Sequence, residues 1–244
     1  MAKSPWFSKA FGAFYTEVYA HRDDNEARQH LPAISKLANL RDQPSSILDL
    51  GCGQGRYSHL LQNQGHHVVG LDYSLELLNI AHQNYPELYL CKGNMLTLPF
   101  KNKFDRVLSL FTSFGYFEKD EENIRVLQQI YQSLIPHGYL YLDFLNAKLV
   151  QACDWTEKQL GTYSQISRKI IHKEQNRVEK QIRLYRNDKL KYEYSEFVKL
   201  YNFSWFEQQA QSTGFKLLNT FGNYLGETYD ENSSPRLILL LQKT

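Results

Sequence analysis

Apolar and polar positions along the chain fall into three regimes. Over 11–20 and 25–40 apolar residues recur at spacings of three and four, among them Phe14, Val18, Ile34 and Leu37, which predicts two helices, the second interrupted by Pro32. From Ser46 the pattern changes to short apolar runs: ILDL at 47–50, HVVGLD at 67–72, LYLC at 88–91, FDRVLSLF at 104–111 and YLYLDF at 139–144. Between them lie helical stretches at 56–64, 75–84 and 121–134, the last closed by Pro136, His137 and Gly138. Buried-type strands alternating with helices predict a parallel sheet covered on both faces. The third regime, 163–201, alternates with a period of two in segments 163–172, 177–186 and 190–201, joined by turn-like 174–176 and 187–188. It predicts a small antiparallel sheet. On its last strand Leu190, Tyr192, Tyr194, Val198 and Leu200 share one face, and Lys191, Glu193, Ser195 and Lys199 share the other, expected to be wet. Beyond it, 203–213 reads as a helix ending at Gly214, and 215–220 and 236–242 as two more strands.

The expected fold class is therefore α/β, a doubly wound, Rossmann-like seven-stranded sheet with a small antiparallel β insertion. Its parts are 1–45, a main domain of 46–150 with 202–244, and an insert of 151–201. A length of 244 residues suits one such domain with a small attachment. In a doubly wound sheet, ligands bind outside the carboxyl ends of the strands.

A formal charge of +2 points to neither nucleic acid nor membrane. Its distribution is uneven: 157–200 holds eleven Lys/Arg against six Asp/Glu. Three widely spaced cysteines, with no CxxC pair and no HExxH helix, support neither a disulfide framework nor a zinc site and suit a reducing cytoplasm. No stretch approaches the roughly 18 apolar residues of a membrane span, and the first residues show no targeting signal.

The candidate chemistry starts at ILDLGCGQGRYSHLL, 47–61, a strand, a glycine-rich turn and a helix. Glycines there permit a sharp turn and a close ligand approach, and the helix N-terminus offers N–H groups. A dinucleotide fingerprint would need its last glycine at Arg56, which argues against NAD. Asp72 ends the second strand, about 20 residues on, where a carboxylate grips ribose hydroxyls in such folds. It also stands where a helix cap is needed, although Ser74 can cap that helix itself.

In order and spacing, DLGCGQGRYS, VVGLDYS, GNMLTLPF, FDRVLSLFTSFGYF and HGYLYLDFLN resemble the class I S-adenosylmethionine-dependent methyltransferases. FTSFGYF and YDENSSPRLILLLQK resemble their small-molecule branch with a β insertion after the fifth strand. The resemblance implies S-adenosylmethionine as cofactor, with Asp49, Gly51 and Gly53 near its methionine part, Asp72 on the ribose, and Tyr73, Asn94 and Met95 about the adenine. Asn94 stands where the family has an acid; its amide oxygen still accepts a hydrogen bond, without charge assistance. Leu110 matches a backbone contact to the donor, followed into the cleft by Phe111. Tyr15 and Tyr19 match an N-terminal helix that closes over the donor, or they simply pack on the domain. Cys52 reads as a small side chain in a crowded turn.

Methyl transfer from a sulfonium is an in-line displacement, so alignment supplies much of the rate and no triad is required. Asp143, Asn146 and Tyr116 are the candidate catalytic residues, the carboxylate as proton acceptor and the others to orient the acceptor. The implied partner is a small-molecule acceptor, acidic if the basic insert faces it as a lid, acting on a monomer or a homodimer. Two alternatives remain: a donor-binding module without transfer or with other chemistry, and an RNA-binding methyltransferase using the basic segment, although no basic arm or RNP-like aromatic pattern supports nucleic acid.

Overall fold

A computed structural model describes residues 6–12, 14–19, 23–40 and 43–244. Two single-turn helices, α1 (Phe7–Ala10) and α2 (Tyr15–Val18), precede α3 (Asp24–Leu37). The expected 11–20 helix is thus displaced and broken near Gly12, and its end at Ala20 lies outside the described residues. Helix α3 starts where the Asp23 carboxylate accepts the Glu26 N–H at 2.8 Å, and it runs through Pro32 because Ala27, Leu31, Ile34 and Leu37 are all buried on one face.

The main domain then alternates β1 (Ser46–Leu50), α4 (Arg56–Asn63), β2 (His67–Asp72), α5 (Leu75–Asn84), β3 (Tyr89–Lys92), β4 (Phe104–Ser109), α6 (Asp120–Ser133) and β5 (Leu134–Leu145). After the insertion come α7 (Phe203–Thr213), β10 (Phe215–Phe221) and β11 (Arg236–Lys243). The sheet has seven strands in the order β10-β11-β5-β4-β1-β2-β3. Strands β1 to β5 are parallel, and β11 runs antiparallel to both of its neighbours. Because β1 leads outward to β2 and the chain later returns to β4 on β1's other side, the switch point of the sheet lies between β1 and β4.

Both faces are packed, as continuous apolar strands require. One buries Leu48, Val107, Leu140 and Leu142 against α6 and α7, the other Ile47, Val68, Leu108 and Tyr141 against α3 and α4.

The insertion is a four-stranded antiparallel sheet, β6 (Cys153–Leu160), β7 (Tyr163–His172), β8 (Arg177–Arg186) and β9 (Lys189–Lys199), rather than the three strands expected. Strand β6 is a largely exposed, polar edge, so no apolar alternation marks it. The expected faces of β9 also need correction. A bulge sets Leu190 opposite Tyr185 while Tyr192 pairs with Leu184, so Lys191 is the extra residue and Leu190 leaves the face of Tyr192 and Tyr194. Leu200 falls beyond the strand. Lys199, expected wet, is buried, and its ammonium meets Asp120 at 2.8 Å. Ala10 and Val18 of α1 and α2 pack on Ile182, Leu184 and Tyr194, so the N-terminal segment rests on the insertion.

Phe144, Phe114, Phe206 and Tyr201 form an aromatic joint between sheet, loop and the return from the insertion, with ring centroids 5.1–6.5 Å apart. Phe144→Ala is expected to lower stability in urea unfolding by about 3–5 kcal/mol, the usual cost of an emptied aromatic core site; a loss under about 1 kcal/mol would show that the joint repacks.

Candidate active site

The strand β1 ends in a turn whose path is set by backbone bonds to β2. The N–H groups of Gly51 and Cys52 both donate to the Leu71 carbonyl, at 2.8 and 3.1 Å. Gly51 has φ 78°, and a Cβ there would lie 2.9 Å from that of Ser113, so only glycine fits without strain. The Asp72 carboxylate then accepts the Gly53 N–H with one oxygen and the Ser74 N–H with the other, each at 2.8 Å. It therefore ties the turn to the start of α5, while the Ser74 hydroxyl caps α5 on Leu77 N–H. Burial raises the Asp72 carboxyl pKa, and the backbone donors oppose that shift.

Over this turn lies a recess with about 610 Å³ of open space. Gly51, Gly53, Asp72, Tyr73, Asn94 and Met95 all line it, as do Tyr15 and Tyr116. The chain thus gathers most of the residues picked from the sequence at one place. Phe7, Phe11, Leu77, Ser113 and Phe117 also line it and were not foreseen. Phe7 meets Tyr73 edge-on at 5.0 Å and Phe117 at 5.8 Å, and the only trace of this in the sequence is the density of aromatic residues before position 20. Asn94 uses its side-chain oxygen to accept the Leu96 N–H at 3.0 Å.

Four expected residues stand back from this cavity. Asp49 is buried beneath the turn and accepts the Ser58 hydroxyl at 2.6 Å. Leu110 is buried, and its carbonyl takes both the N–H and the hydroxyl of Ser113. Asp143 is fully buried and accepts from Phe111 N–H, Tyr224 O–H and Arg236 at 2.7–2.8 Å. Asn146 donates to the Glu231 and Ser234 carbonyls and accepts from Lys148 N–H and Tyr229 O–H. With these bonds made, Asp143 and Asn146 hold loops rather than face open space.

A second recess of about 650 Å³ adjoins the first and shares Phe11, Tyr15 and Tyr116 with it. Its polar lining is Thr112, Arg236, Tyr19 and, from the insertion, Glu196. The Tyr19 hydroxyl donates to the Glu196 carboxylate, with oxygens at 2.7 and 2.9 Å.

The doubly wound sheet thus carries a glycine turn after β1, a carboxylate after β2 and a cavity lined by both. Residues 47–138 match the family model for the methyltransferase domain. An S-adenosylmethionine-dependent methyltransferase from Clostridium acetobutylicum ATCC 824 superposes with a TM-score of 0.78 at 16% identity, covering 94% of this chain and 96% of that one. The dTDP-3-amino-3,4,6-trideoxy-alpha-D-glucopyranose N,N-dimethyltransferase of Streptomyces venezuelae is 26% identical over 53% of this chain and 54% of its own length. A probable tRNA methyltransferase 9B of Bos taurus is 30% identical over 46% of this chain and 24% of its own. The chain thus spans about half the length of the first of these two relatives and a quarter of the second.

Burial pushes the Asp49 carboxyl from 3.8 up to about 6, although the Ser58 hydrogen bond pulls it down. A carboxyl with a higher pKa folded than unfolded binds more protons in the native state, so stability falls as pH rises through that interval, by an order of 3 kcal/mol in all. Asp49→Asn abolishes this titration. Its melting temperature relative to wild type should therefore rise between pH 4 and pH 7.5, by roughly 5 °C; the same difference at both pH values would show that the Asp49 carboxyl carries no such burden.

Proposed function

We propose that the chain transfers a methyl group from S-adenosylmethionine to an oxygen or nitrogen of a small-molecule acceptor. The observation that carries this reading is the cavity at the β1–β4 switch point, walled by the glycine turn, Asp72 and an aromatic surface. The site fits the donor: a Cβ on Gly53 would project into space whose nearest group is Leu77 at 3.9 Å, so the turn leaves room for a ligand against its backbone. In this reading Asp72 holds the ribose hydroxyls, Tyr73, Asn94 and Met95 surround the adenine, and Gly51 and Gly53 bed the methionine part, with Asp49 and Leu110 shaping the turn and loop behind them. Tyr15 covers the donor from the N-terminal segment, and Tyr116 stands between donor and acceptor. The bound donor supplies an activated methyl group; the protein's part is alignment and exclusion of water.

A donor-binding module would need only the first cavity, whereas the adjoining recess provides a compartment for a second molecule. The sugar N,N-dimethyltransferase among the relatives supports a small acceptor. The RNA reading is weakened by the fate of the basic insertion: Arg177 pairs with Glu118, Arg183 with Glu193 and Lys199 with Asp120, while Arg168 donates to Gln181. Among the described residues no helix is long and apolar enough to cross a membrane.

The test is calorimetry with S-adenosylmethionine. Charge-assisted hydrogen bonds of this kind contribute about 1.5–3 kcal/mol each, so Asp72→Ala should weaken donor binding at least roughly tenfold. Because Asp72 also holds the turn, Asp72→Asn, which keeps one acceptor oxygen, serves as the milder companion and should fall between the two. Wild-type affinity in either folded variant, or no donor binding by the wild-type chain, would reject the assignment.

A further inference from the structure

The second recess has a composition that the donor site does not need. Its walls are aromatic, with Trp6, Phe11, Tyr15 and Tyr116 facing it, and its two charged groups differ in how far they are already compensated. Arg236 is neutralised from within: its Nε lies 2.7 Å from the fully buried Asp143 carboxylate, and a terminal nitrogen donates to the Thr112 hydroxyl at 2.9 Å. Glu196 instead accepts from a neutral group, the Tyr19 hydroxyl. Burial and the nearby Glu196 charge hold the Tyr19 phenol well above its ordinary pKa, so it stays a hydrogen-bond donor. Lys180 lies opposite Glu196 in the β8–β9 pair but reaches the Tyr19 oxygen, at 3.2 Å, and its ammonium sits 4.9 Å from the Tyr19 ring; it does not line the recess.

A carboxylate offers about four lone-pair sites, of which one hydroxyl proton uses a fraction. Aromatic faces attract a cation, the more so when it is shielded from water. The combination selects against an anion, which would meet the Glu196 carboxylate, and favours an ammonium over a neutral hydroxyl, since both partners of its hydrogen bond to Glu196 are then charged.

We infer that this recess binds an organic ammonium, with Glu196 as its anchor and Tyr19 as the residue that positions Glu196, so that the acceptor is a molecule bearing an amino group. Its role as an acceptor site rests on the methyl-transfer reading; the binding chemistry does not. An acidic acceptor, expected from the basic charge of 157–200, does not suit this recess: those cations do not line it, Lys180 standing behind Tyr19, and the charged group that β9 brings to it is the Glu196 carboxylate.

The experiment uses the full chain loaded with S-adenosylhomocysteine and titrated with three ring compounds of matched size, cyclohexylamine, cyclohexanol and cyclohexanecarboxylate, followed by ligand-observed NMR. The amine should bind roughly tenfold or more tightly than either other ring, and Glu196→Gln should remove most of that preference, since a charged hydrogen bond is lost. Tyr19→Phe should reduce the preference by less, because the carboxylate remains. Equal binding of amine and alcohol by wild type, preference for the carboxylate, or an amine preference intact in Glu196→Gln would each overturn the inference, the first two without any variant. S-adenosylmethionine affinity of Glu196→Gln, measured alongside, should equal wild type. Absence of donor binding in wild type would defeat the methyl-transfer reading while leaving the amine comparison to decide the fate of Glu196.

Discussion

A single buried charge organises the functional edge of this molecule. Asp143 has no contact with water, and an ion so placed is tolerable only if its partners are complete. They come from three parts of the chain: Arg236 at the start of β11, Tyr224 from the segment before it, and the Phe111 N–H from the loop after β4. The last of these matters most. Phe111 and Thr112 both have positive φ, 53° and 66°, a conformation that costs a residue with a side chain roughly 1–2 kcal/mol. Asp143 captures that turn at both ends, its carboxylate taking Phe111 N–H and its carbonyl taking Thr112 N–H at 3.0 Å. Ser113, Tyr116 and Phe117 leave the turn directly into the cavities. A residue read from the sequence as a candidate base thus has its lone pairs committed to holding the loop from which the site is built.

What could be read in advance follows from how each element meets water. Strands β1, β2, β4 and β5 are buried on both faces, so they appear in the sequence as unbroken apolar runs, and their glycine turn and terminal carboxylate announce themselves by position. Helix α7 was legible to the residue because Gly214, at φ 101°, ends it with a left-handed turn. Strand β6 has no such signature: as an edge exposed along most of its length it has nothing to alternate. The bulge at Lys191 is also silent, since a one-residue change of register alters which face a side chain takes without altering composition. The depth of Asp143 and Asn146 was hidden for a different reason: the strand end is visible in sequence, but the loops that cover it come from residues 80–90 positions away. Phe7 and Phe117 belong to segments with no period at all and find the cavity only through tertiary packing.

The insertion contributes in two ways that its charge does not reveal. It supplies Glu196 to one recess, and it supports the N-terminal segment, whose Ala10 and Val18 rest on Ile182 and Leu184. Its return to the main domain is firmly made: Lys199 donates its N–H to the Gly115 carbonyl at 2.9 Å, and Tyr201 stacks on Trp205 at 3.5 Å while its hydroxyl reaches Asp120. The small sheet is therefore anchored beside the same loop that Asp143 shapes.

Phe11, Tyr15 and Tyr116 are walls of both cavities at once, and a shared wall couples the filling of one compartment to the filling of the other. Any molecule that changes the orientation or freedom of those rings in one cavity changes the free energy of filling the other, and linkage requires the effect to be equal in both directions. Three aromatic side chains then set one coupling factor: a ligand in either compartment changes binding in the other by the same factor that it receives in return, whichever enters first.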